Sequence, residues 1–241
     1  MKKILIIIIC LPLTLLSQNK TDNKGRKQGK WEVKYENSEV VRYKGSFVND
    51  KPVGKFTYYH TNGKLMSESN YVANSNVCRT RLYDIEGVLM AYGKYVNQVK
   101  DSTWTYYSFN GGKVIGREDY QNGQRHGKKI TYYENGNIYE EIPFENNVEQ
   151  GTWNMYYSDG KVKVTAKYVD GNLDGKIVYY YSNGNIEVEG FYKDAVENGF
   201  WRFYDVNGRI EKEAYYKNGI PIIEGDDIQE QIKQLRDEGK L

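Results

Sequence analysis

The chain has 241 residues, 39% hydrophobic and 15% aromatic, with 24 Tyr and 24 Gly but only 11 Leu, five of them within the first 17 positions. Six Leu elsewhere cannot fill a helical bundle or a large α/β core, so tyrosine must take over from the aliphatic residues. Lys and Arg number 34 against 32 Asp and Glu, which lacks the basic excess a phosphate backbone demands, and no nucleic-acid partner is expected.

Residues 1–17 read as a secretory signal peptide: Lys2 and Lys3, an apolar run from Ile4 to Leu16, then the small Ser17. The run falls short of the ~20 residues that span a bilayer. Ile9 stands before Cys10 where a lipoprotein signal needs a small residue. The expectation is an exported protein, periplasmic, envelope-bound or secreted, with cleavage or retention as an anchor left open. Without the signal the charges balance at 32 each and Cys78 is alone, so no internal disulfide can form. Residues 18–28, with Lys20, Lys24, Arg26 and Lys27, read as a solvated linker.

From residue 29 the chain repeats itself. Taking as origin the residue nine before a turn glycine gives Gly29, Gly54, Cys78, Ser102, Gly127, Gly151, Gly175 and Gly199, spaced by 24 or 25. Eight copies fill residues 29–219, and a repeat domain is expected over 29–225. The turn dipeptides Asn62-Gly63, Glu86-Gly87, Asn110-Gly111, Asn135-Gly136, Asp159-Gly160, Asn183-Gly184 and Asn207-Gly208 suit a two-residue type I′ hairpin loop. That loop sets large residues opposite small ones: Phe56 and Ser69, Trp153 and Ala166, Ile177 and Gly190, Trp201 and Ala214, with Lys129 and Ile142 exchanged. It also places the aliphatic eleventh position (Leu65, Leu89, Val114, Ile138, Val162, Ile186, Ile210) in one apolar strip with them. An aromatic seventeen past the origin, as in Tyr71 and Tyr192, leads into the loop before the next hairpin. The fold expected is all-β: ~24-residue hairpins in an elongated, twisted antiparallel meander of about sixteen strands.

The opposite face is charged but carries a column at the fifth position: Tyr59, Tyr83, Tyr107, Tyr132, Tyr156, Tyr180 and Tyr204. A structural role, each ring covering a turn glycine and its neighbour's ring, is the first reading, and a ligand-stacking platform the second. After Pro221, Asp227 and Glu230 form a helix start, and Ile228, Ile232 and Leu235 one stripe, so residues 226–241 should hold a helix over the last sheet edge.

The run Tyr120-Gln-Asn-Gly123-Gln-Arg-His126-Gly127-Lys128 resembles the MORN repeat. The longer unit Gly151 to Gly160, Gly-x-Trp-x-x-Tyr-Tyr-x-Asp-Gly, is similar to the MORN variant repeats of the YwqK-type toxin–antitoxin antitoxin family. That resemblance implies a β-hairpin scaffold and a partner toxin to neutralise. It brings no catalytic residue. Nothing else points to an enzyme: His60 and His126 hold unrelated repeat positions, Cys78 has no His or Asn recognisably near, and no Gly-Lys pair is followed by Ser or Thr. No catalytic residue, metal or cofactor is expected. The functional expectation is a non-enzymatic exported scaffold with a protein partner, a toxin or an envelope protein, with glycan or envelope-ligand recognition at the tyrosine column as the other class. A membrane contact and the oligomeric state stay open.

Overall fold

The structure is a computed structural model that describes residues 18–73, 75–110, 112–226 and 228–239. Residues 1–17, expected to be a signal, and Asp227 of the expected helix start lie outside the described residues. The architecture is one open antiparallel sheet in which successive strands pair in chain order. The hairpins are Lys27–Lys34 with Val41–Val48, Lys51–Tyr59 with Leu65–Tyr71, Val77–Tyr83 with Leu89–Val96, and Val99–Tyr107 with Val114–Gln121. Gln124–Tyr132 with Ile138–Glu145, Gly151–Tyr156 with Val162–Val169, Gly175–Tyr180 with Ile186–Lys193, and Val196–Tyr204 with Ile210–Lys217 follow. Ile220–Gly225 closes the sheet and the helix Gln229–Asp237 ends it.

The large-against-small pairs fall where the sequence places them: Phe56 opposite Ser69, Trp153 opposite Ala166, Ile177 opposite Gly190, Trp201 opposite Ala214, Lys129 opposite Ile142. A single layer buries its own rings by laying them flat. Trp104 has no exposed surface and Phe56 has 1%. Lys100 Nζ sits 4.7 Å over Trp104, and Tyr95 meets its edge at 4.9 Å between ring centres. One buried cluster joins Val164, Ala166, Ile177, Trp201 and Ala214 across three hairpins.

The turns correct the expected geometry. At Asp159-Gly160, Tyr157 N–H donates to Lys161 C=O at 2.8 Å and Gly160 N–H to Tyr157 C=O at 2.9 Å, closing a three-residue loop. Only the glycine is left-handed, at φ 89°, so the turn is type I followed by a left-handed glycine rather than type I′. The Asp acts through its side chain: Asp159 Oδ1 accepts Lys161 N–H at 3.1 Å, and Asn62, Asn135 and Asn183 do the same in their turns. Type I′ geometry sits at the other end of the sheet, in the links, where Asn49-Asp50, Asn97-Gln98, Asn122-Gly123, Asn146-Asn147 and Asp170-Gly171 are left-handed at both residues. Asn-Gly tolerates both turns, so the dipeptide alone does not fix loop length.

The ends differ too. Residues 20–28 are no linker: Lys20–Thr21 pairs with Gln28 and Lys27. Asp22 Oδ1 closes their turn by accepting the N–H groups of Lys24 at 2.9 Å and Arg26 at 3.0 Å, and Gly25 supplies φ 76°. The basic residues hid this Asx turn. Hydrogen bonding to Arg26 draws the Asp22 carboxyl down to about 2. At the far end Ile228 and Ile232 are buried, and Gln229 Nε2 donates to both Glu213 carboxylate oxygens at 3.2 Å. Glu213 lies on the strand inside the last one, so the helix reaches over the sheet face as well as its edge.

Candidate binding face

The expected two-residue loop would have kept the aliphatic eleventh position among the packed residues. The longer loop brings an extra residue into the second strand, taken up as a bulge after the fourth position of each hairpin. Beyond the bulge the pairing changes parity. Each column tyrosine then stands directly opposite an aliphatic: Tyr59 and Leu65, Tyr83 and Leu89, Tyr107 and Val114, Tyr132 and Ile138, Tyr156 and Val162, Tyr180 and Ile186, Tyr204 and Ile210. Residues directly opposite share a face. The apolar strip is therefore not continued on the packed face. Its eleventh-position residues lie on the charged face beside the tyrosines, where Val162 and Ile210 are 38% and 49% exposed.

All seven column tyrosines are half-buried. Two strand spacings of ~4.8 Å separate one from the next, and among the described residues no ring contact joins two of them, so the expected ring-on-ring cover is absent. Intervening strands supply charges instead. Lys44 Nζ lies 5.3 Å over Tyr59 and the Arg117 guanidinium 5.8 Å over Tyr132. The Tyr204 hydroxyl donates to Glu189 Oε1 at 2.7 Å; burial first, then that carboxylate, push its phenol up to about 12. Burial also pushes the Tyr59 phenol up, but Lys44 and Thr57 outweigh it and the net shift is downward. The stripe is flanked by ion pairs on the same face, Lys55 with Glu68 at 2.6 Å, Lys176 with Glu189 at 2.7 Å, Arg202 with Glu213 at 2.9 Å, and Lys128 with Glu141.

Sequence reasoning missed a second tyrosine series at the sixth position. Tyr35, Tyr133, Tyr157 and Tyr181 donate their hydroxyls to the carbonyls of Tyr59, Tyr156, Tyr180 and Tyr204 in the next repeat, at 2.5–2.8 Å. His60 takes the same place, its Nε2 3.2 Å from Tyr83 C=O, so it is a tie between hairpins and not a free surface group. The signal was present in the Tyr-Tyr dipeptides. The structural work of holding neighbouring turns together thus falls to the sixth position, which leaves the rings of the fifth with no ring neighbour of their own kind.

Cys78 is buried, and no group of three or more His, Cys, Asp or Glu capable of holding a metal occurs among the described residues. The hairpin register divides the chain into eight repeats. Four of them match the MORN repeat variant. The matched segments are residues 52–73, 125–146, 149–170 and 173–194, each starting two residues before an origin glycine. A search of curated proteins finds no match to the chain. MORN repeats are scaffolds, and a scaffold's activity belongs to the surface it presents.

Proposed function

We propose that the chain is an exported, non-enzymatic scaffold that holds another protein along its tyrosine face. The observation that carries this reading is the row of seven tyrosine–aliphatic pairs, half-exposed, in register and bordered by ion pairs of both signs. Amphipathic rings beside exposed aliphatics suit the core of a protein interface, and paired charges suit its rim. Export rests on the pattern of residues 1–17. The finer reading, a dedicated toxin as partner, rests on the resemblance of the Gly151–Gly160 unit to YwqK-type antitoxins and differs by requiring one partner in one-to-one complex.

The test places a photo-crosslinking phenylalanine analogue at Tyr156 or, on the opposite face, at Met155, in cells that make the protein. A discrete crosslinked protein from position 156 and none from 155 is expected. Tyr156→Ala should then weaken the purified complex at least tenfold while leaving the fold intact. Crosslinks from 155 alone, or binding indifferent to Tyr156, would remove the column from the interface.

A further inference from the structure

The packed face is filled unevenly. Three times a ring lies flat on a glycine of the preceding strand: Phe56 on Gly45, Trp104 on Gly93 and Trp201 on Gly190. A Cβ at these glycines would stand 2.0, 2.2 and 2.2 Å from ring carbons. The third repeat breaks the series. Thr80 stands where the ring belongs and Ser69 where the glycine belongs, and the two hydroxyls bond one another at 2.7 Å. Both residues are buried, and they line a groove of about 640 Å³.

The same repeat gives up other structural features of the array. Cys78 replaces the left-handed origin residue, and pairing with the preceding strand runs through it without a shift. The joint before it closes by Val72 N–H donating to Val77 C=O at 2.9 Å, wider than the two-residue links elsewhere. Four departures around the joint of the second and third repeats surround one opening.

The groove's chemistry selects its occupant. Tyr58, Tyr71 and Tyr95 line it together with the hydroxyls of Ser67, Ser69 and Thr80, beside a smaller apolar part that includes Phe47 and Leu82. No carboxylate lines it, which disfavours a cation, and Lys51 is the single charge at its rim, too little for an anion. An apolar anchor would cover the hydroxyls without giving them hydrogen bonds, at a desolvation cost. A sugar ring offers an apolar C–H face to tyrosine and hydroxyls that both donate and accept. We infer that this groove, built by the loss of one ring from the repeat pattern, is a binding site for a neutral sugar ring.

It lies on the face opposite the tyrosine column and stands or falls independently of the partner proposed there. The purified full chain is titrated with maltotriose and with the N-acetylglucosamine trimer, followed by tyrosine fluorescence and by ligand-observed NMR. Saturable one-site binding of at least one trisaccharide is expected. The double substitution Ser69→Gly with Thr80→Trp restores the ring-on-glycine pair of the other repeats, so the sheet should stay folded while affinity falls at least tenfold. Ser67→Ala should weaken binding about fivefold, and Tyr156→Ala should leave it unchanged. No saturable binding of either sugar overturns the inference, as does binding that survives the refilled groove. So does tighter binding of a phenylalanine-containing peptide than of the sugars at this same groove.

Discussion

At the scale of single residues, stability rests on pairs in which one side chain occupies the space its neighbour lacks. Trp201 is 5% exposed, and its ring covers Gly190, whose backbone φ is ordinary, so the glycine is there for space and not for conformation. Trp201→Ala should cost about 3–5 kcal/mol and Gly190→Ala about 1–3 kcal/mol by overpacking. In the double variant the added methyl no longer meets a ring, so the two costs should fall short of their sum by more than about 1 kcal/mol. Urea unfolding of the four proteins measures this, and additivity within about 0.5 kcal/mol would refute shared volume. Glu118 is a second case, standing opposite Trp104 where most other repeats carry a small residue. Burial pushes its carboxyl up, but hydrogen bonds from Tyr120 and Tyr106 and the charges of Arg125 and Lys100 outweigh it, and its pKa is lowered. A lowered folded value means the contribution is whole above the unfolded pKa of about 4.3 and is lost as pH falls through the lowered one. Glu118→Gln should therefore flatten the decline of stability below that pH, and an acid profile parallel to the wild type's would show that the carboxylate contributes nothing there.

Besides the bulge before its turn, a hairpin such as Gly175–Tyr180 with Ile186–Lys193 has a break in pairing at its origin residue, and glycine conformation decides that one. Gly175 sits at φ +106° with nothing within 4 Å of an added Cβ, so Gly175→Ala tests backbone conformation without a clash. It should cost about 1–3 kcal/mol, read as a shift in the urea midpoint. No change would mean that the strand tolerates an ordinary backbone there, as it does at Cys78. These elements also show what the sequence could tell. Repeat length, hairpin class, the packed pairs such as Trp153 with Ala166 and the helix stripe were legible, because size alternation and the 24-residue period survive any turn type. The register beyond the bulge was not. Asn and Asp followed by Gly fit a two-residue or a three-residue loop, and one extra residue moves Val162 from the packed side to the side of Tyr156. The N-terminal cap was hidden by its lysines, since Asp22 forms its turn through oxygen contacts that charge counting overlooks. The groove lined by Thr80 was visible as a missing aromatic, yet its emptiness depends on ring direction, which no spacing encodes.

The whole molecule is a one-dimensional array in which each hairpin touches its neighbours in sequence, so its stability divides into repeat and joint contributions. The joints are unequal. On the link edge backbone hydrogen bonds tie most successive links, from Asp50 N–H to Lys27 C=O through to Gly219 N–H to Glu197 C=O. On the turn edge the sixth-position ties run from Tyr35 to Tyr59 and from His60 to Tyr83, then stop, and resume with Tyr133, Tyr157 and Tyr181. Between the third and fourth repeats Asp84 stands in the tying position; its Oδ1 accepts Glu86 and Val88 N–H groups within its own turn, and Oδ2 is buried without a partner. Between the fourth and fifth, Ser108 is too short to reach, and Lys113 Nζ to Glu134 C=O at 3.1 Å crosses instead. Two tied blocks on either side of the fourth repeat follow from this pattern, one ending near Tyr83 and one beginning near Gly127. Native-state hydrogen exchange at rising urea should resolve two groups of amides, those of residues 27–83 and those of residues 127–217, each converging on its own opening free energy. A single common isotherm for both groups would mean that the link edge and the buried Trp104 carry the joint unaided, and that the turn-edge ties do not set where the array comes apart.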